Sequence, residues 1–137
     1  ISAALNLVLS QRLVRRICGK CRQPYEPPRN LRRAVERAGF EFSEFYRGVG
    51  CRKCRNTGYS GRIGLHEVLV LDDELRDYIV SDPSLGGIRR MALARGMVTL
   101  HVDGFRKVRE GITTIEEVLQ VAGTVQARDD VLSGAGP

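Results

Sequence analysis

Apolar positions along this chain follow two rhythms. Runs with strand character flank a turn-rich segment in the first half, and repeats of i, i+3, i+4 fill the second. Ile1–Leu9 reads as the end of a helix, with Leu5, Val8 and Leu9 on one side. Gln11–Ile17 reads as a strand, Leu13 and Ile17 standing apolar among Arg12, Arg15 and Arg16. Pro24, Pro27 and Pro28 impose an extended path. Asn30 can cap a short helix over Leu31–Ala38, whose Leu31, Ala34, Val35 and Ala38 lie at i, i+3, i+4, i+7 before Gly39. Leu65–Leu71 is a second strand. Its unbroken apolar run from Val68 to Leu71 predicts burial on both faces. The simplest arrangement is an antiparallel pair, with everything between the two strands inserted where a hairpin turn would stand.

The second half is punctuated by caps and glycines. Asp72 opens a helix through about Val80, with Asp73 and Glu74 in its first turn and Leu71, Leu75, Tyr78 and Ile79 as its apolar stripe. Ser84 opens the next, stopped by Gly96; Thr99 opens a third, closed by Gly111. Thr113-x-x-Glu116 has the form of a capping box for a fourth, where Ile115, Val118, Leu119 and Ala122 repeat before Gly123. Short connections predict a compact helical bundle. Residues 124–137 lose periodicity and read as a disordered tail.

The cysteines change this picture most. All four stand in two identical pairs, Cys18-Gly-Lys-Cys21 and Cys51-Arg-Lys-Cys54. Each C-x2-C turn can present two sulfurs to one metal ion, and two such turns complete a tetrahedral thiolate shell. Two disulfides are the alternative. No secretory leader and no apolar run long enough to span a membrane is visible, although a chain starting at Ile1 resembles the middle of something longer. A reducing compartment fits, and there a metal is favoured over disulfides. Zinc is the expected ion and iron its rival, since rubredoxin-like sites use similar knuckles. A closed shell of four cysteines leaves no open position, so the metal is expected to be structural.

Charge follows the same division. Residues 1–17 carry +3. Residues 18–62 hold eleven Lys/Arg against four Asp/Glu, or +7; residues 63–137 hold eight against twelve, or −4. Four thiolates around a divalent ion leave −2, and Lys20, Arg22, Arg52, Lys53 and Arg55 stand beside them, which accounts locally for part of the excess. Their functional reading is contact with nucleic acid or acidic lipid; no aromatic residue interleaves these five, which favours the local role. With no Trp and four Phe, the core must be mainly aliphatic. Phe40, Phe42, Phe45 and Tyr46 are expected to pack the 31–38 helix onto the metal knuckles, and the metal is expected to supply much of that segment's stability. No G-x-x-x-x-G-K-[ST], G-x-S-x-G or H-E-x-x-H motif occurs, and His66 and His101 read as structural.

Taken in order, Gln11-Arg12-Leu13-Val14-Arg15 before Cys18-x2-Cys21, Gly50-Cys51-x2-Cys54, Thr57-Gly58-Tyr59-x-Gly61-Arg62-x-Gly64-x-x-Glu67, Asp103-Gly104 before Lys107-Val108, and Gly111-x-Thr113-Thr114-x-Glu116-Glu117-Val118 resemble the C-terminal part of the type II secretion and type IV pilus assembly ATPases over residues 1–122. The resemblance implies a cytoplasmic hexamer that hydrolyses ATP with magnesium, drives an inner-membrane machine through its platform protein, and keeps its phosphate loop in a RecA-like core upstream of Ile1. It implies an α+β chain divided as follows: residues 1–17 the end of that core, 18–54 a four-cysteine zinc module bound through Cys18, Cys21, Cys51 and Cys54, 55–71 the returning strand, 72–123 a helical subdomain, and 124–137 a tail. It also implies that Arg62 lies near the base of the bound nucleotide. By itself this chain is expected not to turn over ATP. The alternative from a different class is a free-standing zinc-ribbon adaptor for nucleic acid. It rests on the +7 segment and leaves the Gly58–Gly64 motif and the helices unexplained.

Overall fold

The computed structural model describes residues 7–81 and 84–123, and the expected tail at 124–137 lies outside them. The fold is α+β. In chain order the elements are β1 (Leu7–Ile17), β2 (Arg22–Tyr25), α1 (Arg29–Arg37), β3 (Phe45–Gly48), β4 (Tyr59–Val70), α2 (Asp73–Val80), α3 (Leu85–Ala94), α4 (Leu100–Arg109) and α5 (Ile115–Ala122). β1 and β4 form the expected antiparallel pair, in register from Leu7 opposite Val70 to Arg15 opposite Arg62, with an irregularity before Ile17 meets Tyr59. A second antiparallel ladder, β2 with β3, stands inside the insertion and pairs Arg22 with Gly48 through Tyr25 with Phe45.

The helix expected through Leu9 is corrected: Leu7–Leu9 belong to β1. Three apolar residues at i, i+3 and i+4 cannot decide between helix and strand, and pairing with Val68–Val70 decides for strand. Burial of Val68–Leu71 on both faces is corrected too. Partners directly opposite share a face, so β1 and β4 present Leu7, Leu9, Leu13, Val68 and Val70 together, and these are between 36% and 61% exposed. Among the described residues the helices cover only the other face, where Val14 and Leu65 are buried.

That inner face opens one continuous core. Val14 and Leu65 pack with Phe105 and Val108 of α4, Ile115 and Val118 of α5, Ala34 and Val35 of α1, Ala38, and Phe45 of β3. The aromatic residues therefore join α1 to the C-terminal helices rather than to the knuckles: Phe40 meets the Phe105 ring edge-on at 6.1 Å, and Phe42 lies 4.9 Å from Phe45. The insertion shares its core with the helices that follow β4, so burial supports it directly. The last four helices pack as two pairs, α2 with α3 and α4 with α5, and the α4–α5 pair carries the sheet.

Asp72, Ser84 and Thr99 cap their helices as expected, each accepting an N–H three residues on. Two caps differ. Asn30 lies within the first turn of α1, because the proline-set extended backbone ends at Pro28, and no side chain caps that helix. α5 is capped by Thr114, which accepts from Glu117 N. Thr113 instead donates its hydroxyl to Arg15 O at 2.8 Å, a bond to β1 that displaces the capping box by one residue. His66 is exposed and its N–H is accepted by Asp103; His101 is buried, with Nε2 2.7 Å from Gly123 O at the end of α5. Among the described residues no helix is long and apolar enough to cross a membrane.

Candidate metal centre

The four cysteines lie where both ladders end. β1 delivers Cys18 directly after Ile17, and Cys18 N donates to Gly58 O at 2.9 Å at the start of β4. β2 begins directly after Cys21, whose carbonyl accepts Val49 N at 3.2 Å just beyond β3. Each C-x2-C turn is thus held at one side by the outer ladder and at the other by the inner one. One close backbone passage, Gly48 against Gly58, makes this possible. A Cβ on Gly48 would sit 2.1 Å from Gly58 O, and one on Gly58 would sit 2.4 Å from Gly48 O. Gly58 also has φ +83°, a conformation that disfavours every side chain.

The sulfurs converge. Cys18 and Cys51 Sγ are 3.7 Å apart, Cys21 and Cys54 3.8 Å, Cys51 and Cys54 3.7 Å, and all four lie within 4.8 Å of one another. These spacings are far beyond a sulfur–sulfur bond of about 2.05 Å, and the cysteines are free. A tetrahedron with metal–sulfur bonds of about 2.3 Å has edges of about 3.8 Å. The cluster can hold one metal ion.

The surroundings are built for anionic sulfur. Gly50 N donates to Cys21 Sγ at 3.3 Å, Cys51 N to Cys54 Sγ at 3.3 Å, and Gly58 N to Cys54 Sγ at 3.2 Å. Burial opposes ionisation of Cys54, but the N–H groups of Gly58 and Cys51 outweigh it and bring that thiol down to about 6. Burial dominates at Cys21 and pushes it up to about 11. A divalent ion favours the deprotonated form of its sulfur ligands.

Arg62 is exposed on β4, opposite Arg15, and lines a shallow cleft of about 380 Å³ with Thr57, Tyr59 and Gly61. Of the five cations that flank the cysteines in sequence, Arg22 stacks over Tyr46 at 4.8 Å and donates to Gly111 O at 3.0 Å, a placement that neighbouring residues alone do not reveal. Sequence reading also missed the group that ties β1 to α5. Arg15, Tyr59, Thr113, Thr114 and Glu117 join through side-chain bonds, and Arg15 stacks over Tyr59 at 4.1 Å. Its members are scattered polar residues with no shared spacing. The capping-box signature Thr113-x-x-Glu116 touches one of them, and the family motifs contain all five without showing that they meet.

The chain is similar to known proteins. The family described as "Type II/IV secretion system protein" matches residues 1–120. The type IV pilus assembly ATPase PilB of Thermus thermophilus is 50% identical over 87% of this chain, which is 14% of that relative. The type II secretion system ATPase E of Vibrio cholerae is 40% identical over 88% of this chain and 24% of its own length. The type II secretion system protein E of Dickeya dadantii is 43% identical, with the same coverage on both sides. The chain thus spans between 14% and 24% of the length of these relatives. A family match over residues 1–120 and identities of 40–50% over most of the chain decide its membership: it belongs to the type II/IV secretion system protein family.

Proposed function

We propose that this chain is the zinc-binding and helical C-terminal region of a hexameric ATPase that powers type II secretion or type IV pilus assembly on the cytoplasmic side of the inner membrane. The observation that carries this reading is the convergence of Cys18, Cys21, Cys51 and Cys54 at the junction of two ladders, in a chain of this family. The zinc is structural. ATP and magnesium are handled by the RecA-like core, whose last strands are β1 and β4, and Arg62 reaches the nucleotide base from β4. Residues 18–54 act as a rigid docking element toward the platform protein or a neighbouring subunit, and residues 72–123 as a helical subdomain. The exposed apolar face of Leu7, Leu9, Leu13, Val68 and Val70 supports the reading of β1 and β4 as part of a larger core.

Elemental analysis of the purified chain tests the metal: one zinc per chain is expected, lowered by any single Cys→Ser change. Stoichiometric iron, or no metal in a folded chain, defeats this part. Charge reversal tests docking in the full-length protein. Arg29, Arg33 and Arg37 are exposed on α1, whereas Arg32 pairs with Glu26 and lies over Phe45, so only the first three are to be reversed. Loss of platform binding with zinc content and basal ATP hydrolysis retained supports the docking role. Unchanged binding and transport rule out this face.

A further inference from the structure

A cleft of about 400 Å³ opens between the first knuckle, the start of β4 and the turn joining α4 to α5. Arg16, Arg22, Lys53 and Ser60 supply its side-chain donors, and no carboxylate lines it. Some cations elsewhere have a carboxylate partner, as Arg15 has Glu117, Arg32 has Glu26, Arg95 has Asp72 and Glu74, and Lys107 has Asp103, while others among the described residues stand singly on open surface. Among the described residues, Arg16, Arg22 and Lys53 have no such partner. Three cations sharing one cleft repel each other, an arrangement that a bound anion relieves.

The cations are also held in place. Arg22 is clamped between the Tyr46 ring and Gly111 O, which leaves its other N–H donors for the cleft. A Cβ on Gly111 would stand 2.7 Å from Arg22 Nη1, so only glycine permits this clamp. Thiolates of a loaded metal centre draw these charges at longer range, but the sulfurs are turned inward and take their hydrogen bonds from Gly50, Cys51 and Gly58. Arg16, Arg22 and Lys53 are exposed residues. A carboxylate offers two coplanar oxygens; two guanidinium forks, an ammonium and a hydroxyl match the three-dimensional oxygen set of a phosphate better. We infer that this cleft is a binding site for a phosphate group. The inference does not depend on the ATPase reading, and its test needs no ATP hydrolysis.

The metal-loaded 137-residue chain is titrated with inorganic phosphate and with glycerol 3-phosphate at constant ionic strength, and amide resonances are followed by NMR. In parallel it is mixed with phosphatidylcholine vesicles with and without phosphatidylglycerol. Saturable shifts at Arg16, Arg22, Lys53 and Ser60 are expected. Saturation by the soluble phosphates assigns a free ligand, and saturation only by the phosphatidylglycerol vesicles assigns a lipid headgroup. R16Q/K53Q should weaken binding at least tenfold. S60E, which adds a carboxylate outside both knuckles, should do the same and decides the matter if R16Q/K53Q loses metal. R33Q/R37Q on α1 should change binding less than twofold. Failure of every probe to saturate, or equal weakening by the α1 variant, overturns the site.

Discussion

Glu117 and Arg15 stand 102 positions apart and are bound three times over. The carboxylate accepts Arg15's backbone N–H at 2.8 Å and its guanidinium at 3.1 and 2.7 Å. Glu117 is 5% exposed, at the first turn of α5, while the Arg15 side chain keeps about half its surface in water. One side chain thereby fastens α5 to the irregular end of β1, three residues before Cys18.

Replacing Glu117 by Gln removes the charge and leaves the shape. Hydrogen bonds to charged groups contribute about 1.5–3 kcal/mol. Half-exposure of Arg15 reduces this, so a loss of about 1–2 kcal/mol is expected in urea unfolding. The pH dependence has a definite sign. Burial raises the Glu117 carboxyl, but the bonds from Arg15 outweigh it and hold it below its ordinary value. Its contribution is therefore present above the ordinary carboxylate range, about 4.3, and fades as pH falls through the lowered value. The stability gap between wild type and E117Q should be constant near neutrality and close in acid; a gap that widens in acid contradicts this assignment.

Gly48→Ala and Gly58→Ala each push a methyl group into the facing backbone, at 2.1 and 2.4 Å, and Gly58 adds a left-handed φ. Either should cost at least about 2 kcal/mol and speed release of metal to a chelator. Gly19, inside the first knuckle, has nothing within 4 Å of a new Cβ. Gly19→Ala should stay within about 0.5 kcal/mol. Chelator-release rates on the three variants make the comparison.

Gly104 is in the middle of α4, where alanine ordinarily improves a helix by about 1 kcal/mol. Here a Cβ would meet Val118 Cγ1 at 2.6 Å and Leu65 Cδ1 at 3.1 Å, at the crossing of α4, α5 and β4. Gly104→Ala should therefore destabilise the chain by about 1–3 kcal/mol, read as a lower melting temperature. A gain in stability would mean that the two helices can separate freely.

Removing the metal should act locally first. The knuckles and the adjoining ends of both ladders should exchange amide hydrogens faster. Among the described residues α2 and α3 contribute no side chain to the shared aromatic and aliphatic core, and these helices should keep their protection. Equal acceleration across the whole chain would show that the metal is needed for global folding.

Features written in neighbouring residues were legible from sequence: the C-x2-C pairs, the caps at Asp72, Ser84 and Thr99, and the pairing of strands around the insertion. Features decided across the fold were not. The β2–β3 ladder was hidden because Pro24 and Pro27 resemble a breaker, yet a ladder of two strands has only edges, where proline is tolerated. Phe45 reads as a local aromatic but is buried with Phe105, sixty positions on. Val68 and Val70 are apolar without being covered here, since apolarity tells that a face needs a partner and not where the partner stands. At the cysteine cluster, spacing indicated which four residues come together, while the N–H groups of Gly50 and Gly58 that favour anionic sulfur became visible only in space.

Nesting one ladder inside the other also orders the chain in time. Joining Ile17 to Tyr59 directly means closing a loop over residues 18–58, whereas joining Tyr25 to Phe45 closes only residues 26–44, part of which is already shortened by α1. The entropy of closure grows with the logarithm of loop length, and once the inner ladder has formed only the two knuckles remain to be bridged. Folding of this half therefore runs from the inside outward. In pulse-labelled refolding, amides of β2 and β3 should be protected before those of β1 and β4, so that the inserted segment assembles the strands it interrupts.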